Sequence, residues 1–318
     1  MTPTQLRAYA SVVRLGSVKA AARELEVSEA AVSMHVAQLR KEFDDDLFRR
    51  TSSGLAFTPG GLRLASRAVE ILGLQSRTLL EVSQAGTGKR VLRVGATNLF
   101  TEHAAPGLID LFASRADDLQ VELSVHPAAK LPALLAARAV DVAIGPTASQ
   151  PTPAFQHVPF LRYEVVVVAR PDHPLGRAPL AVGSARRLIW CLGPSAAEPD
   201  GAVSGMVRHL GVPEPRQQIF QSDAAALEET KRTDGVTPAV RFAVAGDLSS
   251  QRLVVLSGPG LRAQGEWAAM SLPAHTQTPA AAELLRFITT PRATQAMVRG
   301  AGVHVGRFRP AVHVTLWS

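Results

Sequence analysis

The feature that most restricts this fold is a series of helix stops and starts crowded between Leu6 and Gly61. Leu6, Tyr9, Ala10 and Val13 recur at helical spacing, and that run ends at Gly16. Ser17 is a good N-cap for a second helix, Val18 to Leu25, whose small residues Ala20, Ala21 and Ala22 let a neighbour approach closely. After the short break Glu26-Val27-Ser28, Ser28 caps a third helix running to about Phe43. Two helices joined by so short a turn form a helix-turn-helix, although the same pattern also suits an ordinary three-helix bundle. On the third helix Val32, Val36, Leu39 and Phe43 form a buried stripe. Glu29, Ala30, Ser33, Met34, Ala37, His35 and Gln38 are then left facing outward, where such a helix meets base edges.

The next segment separates the two readings. Leu47 to Thr58 reads as a short hairpin with its turn at Ser52-Ser53-Gly54, and Thr58-Pro59 opens a new helix with proline in its first position. The hairpin sets Arg49 and Arg50 beside the helices, where a wing would lie along phosphates. The formal charge of +7 and a pI near 10.3 favour a polyanionic partner. Asp44-Asp45-Asp46 could be taken for a cation site but reads better as a solvated turn, since no other ligand clusters near it.

At this point the segment resembles the DNA-binding domain of the LysR-type transcriptional regulators. The matching residues are Gly16-Ser17, Ala21-Ala22, Leu25, Val27-Ser28, Ala31-Val32-Ser33, Leu39, Leu47-Phe48, Arg50, Thr58 and Gly61, in the family's order and spacing without a gap. Ser28, Glu29, Ala30, Ser33, Met34, His35, Gln38, Arg49, Arg50 and Ser53 are the expected DNA contacts. The departures are informative. Glu29 stands where the family usually has Gln, Met34 where it often has Arg, Arg40 where it has Glu, and Asp44 where it has Gly. Aspartate can occupy the left-handed conformation such a stop requires. Glu29 and Met34 remove hydrogen-bond donors, so relatives do not supply the operator sequence.

From Gly61 onward, residues 61–84 read as one long helix. Ala65, Ala68, Leu72, Gln75, Leu79 and Val82 recur like one seam of a coiled coil, with Arg63, Arg67, Glu70, Arg77 and Glu81 on another side. A seam without a partner in the small N-terminal domain suggests a second copy, as does the short site that one recognition helix can read. The resemblance implies the same dimer, paired into tetramers, with promoter DNA as partner and RNA polymerase as a further candidate. Residues 85–90 make a glycine-containing hinge.

Beyond the hinge, strands and helices alternate, which predicts an α/β domain with a mostly parallel sheet. Strands are expected at Val91 to Ala96, Leu119 to Val125, Val140 to Ile144, Val165 to Ala169 and Leu188 to Leu192, with another ending at Gln221. A further strand, Trp267 to Leu272, returns the chain to the first half. Helices are expected at Glu102 to Arg115, Lys130 to Arg138, after Gly201, from Ala224, and at Ala281 to Ile288 and Ala293 to Arg299. The pattern is similar to the family's two-lobed, Rossmann-like effector domain of periplasmic-binding-protein type. It rests on Arg93 to Thr97, on Leu134-Leu135 with Val140 to Ile144, and on Asp172-His173-Pro174-Leu175. The implied division is a winged helix-turn-helix over 1–60, lobe I over 91–162 with 269–303, lobe II over 163–268, and a tail over 304–318.

Ligands of open α/β folds sit at the carboxyl ends of strands, often at helix starts. Thr97, Asn98, Leu99, Phe100 and Thr101 follow the first strand there, in a segment the family uses for its effector. Thr147, Ser195 and Ser222 are further crevice candidates. Backbone N–H groups at a helix start suggest an anionic or hydroxyl-bearing metabolite. No cofactor is expected.

Other classes fit poorly. The nine histidines show no metal spacing, Gly88-Lys89 lacks a Walker loop, and no nucleophile elbow is present, which argues against an enzyme. The single cysteine, Cys191, reads as a buried hydrophobe rather than a redox sensor. A secreted solute-binding protein would share the sensor fold but would carry a signal peptide and no helix-turn-helix. No apolar run approaches the roughly 18 residues of a membrane span, and the N-terminus lacks a basic-then-apolar leader, so a cytoplasmic protein is expected.

Overall fold

The structure, a computed structural model, describes residues 1–300 apart from 52–53, 86–87, 149 and 175–178. The chain divides into two compact units near Gly88. The first begins with α1 (Pro3–Leu15), α2 (Val18–Glu24) and α3 (Glu29–Phe43). Local chemistry sets each boundary. Thr2 and Gln5 form a capping box on α1, and Gly16 ends that helix in the left-handed conformation at φ 63°. Ser17 and Ser28 accept N–H bonds as N-caps of α2 and α3. Asp44 ends α3 at φ 49°, in the left-handed role expected of it.

A hairpin of β1 (Phe48–Thr51) and β2 (Gly54–Phe57) follows, and then α4 (Pro59–Ala85). The Thr58 hydroxyl caps α4 by accepting from Gly61 N at 2.9 Å. Gly61 is required here for space: a Cβ would lie 2.1 Å from the Leu47 carbonyl oxygen. Tyr9, Val12, Ala21, Val32, Val36 and Leu39 form the core of this unit, closed by Phe48 from the hairpin. Asp45 is tied into the same corner, accepting from Leu47 N at 2.6 Å and Thr58 Oγ1 at 2.7 Å. Those bonds hold its carboxyl below the usual carboxylate range.

Two expectations for this unit are corrected. Phe43 is not part of the buried stripe but is 44% exposed, because α3 has run past the core by its last turn. The α4 seam also divides differently, since Ala65 packs into the core and Ala68 is fully buried. Among the described residues, the large apolar side chains that α4 leaves exposed are Leu62, Ile71, Leu74, Leu79 and Val82.

The second unit opens with β3 (Arg90–Ala96), α5 (Asn98–His103), α6 (Ala105–Ala113), β4 (Leu119–Val125), α7 (Leu131–Ala136) and β5 (Val142–Pro146). A single helix was expected at Glu102 to Arg115. Instead the chain breaks at Ala104, because Pro106 can neither donate to nor pack within a preceding turn. The long β6 (Gln156–Ala169) then leads into α8 (Val182–Ala185), β7 (Trp190–Leu192), α9 (Ala202–Leu210), β8 (Gln217–Ile219) and α10 (Asp223–Arg232). The chain continues through β9 (Thr237–Val240), α11 (Ala245–Ser249), β10 (Val254–Val255) and the returning β11 (Arg262–Ser271), and closes with α12 (Pro279–Ile288) and α13 (Pro291–Gly300). Among the described residues no helix is long and apolar enough to cross a membrane.

The main sheet has the order β10-β6-β11-β5-β3-β4, with β9 also paired to β6, while β7 and β8 pair separately. It is mixed rather than mostly parallel. β3 is parallel to β4 and β5, but β11 is antiparallel to both β5 and β6. The reason is topological: β6 carries the chain from one lobe to the other and β11 brings it back, so adjacent crossovers must oppose each other. The junction is packed with aromatic rings. Trp267 stacks on Tyr163 at 4.1 Å and meets Phe100 edge-on at 5.3 Å. Gly265 makes room for this stack, since a Cβ there would come within 2.3 Å of the Tyr163 ring.

Candidate functional site

Two groups of residues carry the chemistry, one in each unit. In the first, α3 presents Glu29, Ala30, Ser33, Met34 and Gln38 on its exposed side, with Met34 52% exposed. Ser28 is engaged in capping, its Oγ accepting from Ala31 N at 3.1 Å. Gln38 is steadied from α1, where Gln5 Nε2 donates to its Oε1 at 2.6 Å. His35, expected to face outward, is only partly exposed, and its Nδ1 is enclosed without a hydrogen-bond partner. His35 follows Val32 by three residues and precedes Leu39 by four, which sets it on the border of the buried stripe.

The hairpin holds Arg49 and Arg50 out in solvent. Arg49 Nε donates to Asp46 at 2.9 Å, an exposed pair that phosphate could compete with at little cost. A concavity of about 350 Å³ lies between α3 and β1, lined in part by Ser33, Arg40, Arg49 and Arg50. Ser53 lies outside the described residues. Arg40, which replaces the family's Glu, has a structural role. Its guanidinium donates to the Phe48 carbonyl at 2.6 Å and lies 4.6 Å from the centre of the Phe48 ring, joining hairpin to helix.

In the second unit Thr97 lies between β3 and α5, at the N-cap position of that helix. It is fully buried, and its Oγ1 has no hydrogen-bond partner. Thr101 Oγ1 donates back to the Thr97 carbonyl at 3.0 Å. Leu99 and Phe100 turn their side chains into the core, so only their backbone remains available to a ligand. Asn98 Nδ2 donates to Glu102 at 2.6 Å and to Asp223 at 3.2 Å, across the crevice. Ser195 Oγ donates to Asp223 Oδ1 at 2.5 Å, and Ser222 caps α10 by accepting from Ala225 N at 3.0 Å. The fold therefore brings Asn98, Ser195 and Ser222 to one crevice. Thr147 instead donates to Glu266 and lines a different cavity, of about 550 Å³, with Tyr163, Arg208 and Arg262.

The crevice is more acidic than the sequence suggested. Glu102 occupies the start of α10, accepting from Ala224 N at 2.9 Å and Asp223 N at 3.3 Å. From the other lobe, Glu198 accepts from Ala128 N at 2.9 Å. Each carboxylate sits where a bound anion would be stabilised by backbone N–H groups. Burial pushes the Asp223 carboxyl above its ordinary range, with the nearby Glu102 charge adding and the Ser195 and Asn98 bonds opposing. Burial likewise raises Glu198, and lowers His103 beside Asp223. The occupied N–H groups are those at the start of α10 and at Ala128, not those that follow Thr97. Glu102 and Asp223 escaped notice because only the closed fold places them together. The one local hint was the helical i, i+4 spacing of Asn98 and Glu102.

Cys191 is fully buried in the middle of β7, and burial raises its thiol above the usual range. That suits a core residue rather than a reactive thiolate. Among the described residues no group of three or more His, Cys, Asp or Glu is placed to hold a metal ion.

Comparison with known proteins relates both units to one family. Residues 3–62 match the family model of the bacterial regulatory helix-turn-helix protein, lysR family, and residues 85–291 match the LysR substrate binding domain. The chain is 57% identical over 321 residues to an HTH-type transcriptional regulator of Mycobacterium tuberculosis, covering 100% of both. ArgP from Mycobacterium tuberculosis superposes with a TM-score of 0.59 at 18% identity, covering 94% of this chain and 96% of that one. A full-length OxyR variant from Pseudomonas aeruginosa gives 0.56 at 20% identity, covering 91% and 97%. At such identities the two structures speak for the fold alone.

Proposed function

The chain belongs to the LysR-type family of DNA-binding transcription regulators, and from that premise we propose that a small polar effector held between its two C-terminal lobes modulates promoter binding. The observation that carries this reading is the polar cluster around Asp223, where the two lobes meet. Thr97 offers a buried hydroxyl without a partner, and Asn98, Ser195 and Asp223 converge from both lobes. A ligand that hydrogen-bonds to one separation of the lobes and not another shifts their equilibrium by its difference in affinity. The protein acts in the cytoplasm on double-stranded promoter DNA as a dimer, the exposed apolar residues of α4 meeting those of a second copy. Pairs of dimers and contact with RNA polymerase extend the same reading.

Ser28, Glu29, Ala30, Ser33, Met34 and Gln38 face the major groove, while Arg49 and Arg50 lie on phosphates, with Ser53 as a further contact. His35 supports α3 from its half-buried position. Footprinting of the full chain on the intergenic DNA beside its own gene tests the DNA reading. Protection should cover half-sites spaced by about one helical turn or a multiple of it. A metabolite screen for shifted protection then identifies the effector. Thr97→Val, nearly isosteric but without the hydroxyl, should keep the footprint and lose most of the ligand response. A variant that answers the effector with wild-type potency would remove Thr97 from the site.

A further inference from the structure

We infer that Glu29 determines base specificity, its carboxylate accepting a hydrogen bond from the N4 amino group of a cytosine while Ala30 and Met34 pack on thymine methyl groups. The inference rests on the reading that α3 enters the major groove. Its starting point is what the exposed start of α3 lacks. From Ser28 to Leu39 there is no lysine or arginine, so this stretch has nothing to fork onto guanine O6 and N7. Arg40, the next cation, is committed to Phe48. The exposed side chains there are one carboxylate, the hydroxyls of Ser28 and Ser33, the Gln38 amide and the apolar Ala30, Met34 and Ala37.

Glu29 is exposed and makes no hydrogen bond or ion pair among the described residues. A free carboxylate on a surface that faces a polyanion is unfavourable on almost every sequence. It becomes favourable where the groove offers a donor without an adjacent acceptor on the same base. Cytosine presents N4–H₂ alone, whereas adenine sets the N7 acceptor beside its N6 amino group, and guanine and thymine present only acceptors. Glu29 therefore discriminates partly by repulsion, weakening non-specific binding while one base relieves the penalty. Ala30 and Met34 suit the thymine C5-methyl, the other feature of the groove that needs no donor.

The test is selection from a randomised duplex library by the full chain, wild type and Glu29→Gln. The wild type should enrich a cytosine at one position of each half-site. Glu29→Gln, able to pair both N6 and N7, should move that position to adenine, with the cytosine-to-adenine ratio changing about tenfold or more. A second measurement leaves the protein untouched: replacing that cytosine by 2-pyrimidinone, which lacks the amino group, should weaken wild-type binding about tenfold. Identical motifs from both proteins, or an unchanged affinity for the 2-pyrimidinone duplex, overturn the inference while leaving α3 in the groove. If the wild type enriches no motif and Ser33→Ala and Arg50→Ala leave DNA binding unchanged, the DNA-contact reading falls with it.

Discussion

Replacing Glu102 by alanine should loosen the crevice in a measurable way. In the wild type this one carboxylate accepts from the first two backbone N–H groups of α10, at 3.3 Å from Asp223 and 2.9 Å from Ala224, and from Asn98 at 2.6 Å. Ser222 caps only the next N–H group, that of Ala225, so it cannot substitute. Losing a helix-capping acceptor costs about 1 kcal/mol, and the charge on this one raises the figure to about 1–2 kcal/mol. Glu102 also repels Asp223, which returns part of that loss. For a domain of this size the net change corresponds to a fall of about 2–4 °C in Tm. Calorimetry of the full chain reads it, and hydrogen exchange with mass spectrometry localises it to the first turn of α10. Glu102→Gln keeps an acceptor and removes the repulsion, so it should fall less than half as far. Equal losses in the two variants, or unchanged exchange at Asp223 and Ala224 in the alanine variant, would refute the capping account.

Three further outcomes follow from the same geometry. Alanine at both Arg49 and Arg50 should weaken binding to all DNA sequences alike and reduce the slope of log K against log salt by about one to two, and an unchanged slope would remove the wing from the interface. Leu74→Arg with Leu79→Arg, on the exposed face of α4, should give monomers in sedimentation, since paired copies would bury unpaired charges, and a native-sized dimer would refute that face. Because burial raises the Asp223 carboxyl, its contribution to stability is greatest below the ordinary carboxylate range and is lost as pH rises through the raised value. The Tm of the wild type relative to Asp223→Asn should therefore fall as pH rises from about 4, and a constant difference would exclude Asp223 as the titrating group.

What the sequence determined by itself is the local grammar. Gly16, Ser17, Ser28, Asp44 and Thr58-Pro59 each satisfy or end a helix terminus with their own atoms, so those boundaries were readable without knowing what packed where. The hairpin with Arg49 and Arg50, and the strand ending at Ala96, were legible for the same reason. Only the tertiary structure decided which surfaces were left over. It turned His35 partly inward, left Phe43 in solvent, and buried Ala65 and Ala68 while exposing Leu74 on the same helix. It also extended β6 through Pro159 to pair with β11, as crossover partners separated by a whole lobe. The acidic crevice is the clearest case. Glu102 and Asp223 stand 121 residues apart, and neither residue's periodicity or neighbours encode the other. Capping and turn chemistry act over three or four residues, whereas a site that joins two lobes exists only once the chain has crossed between them and returned.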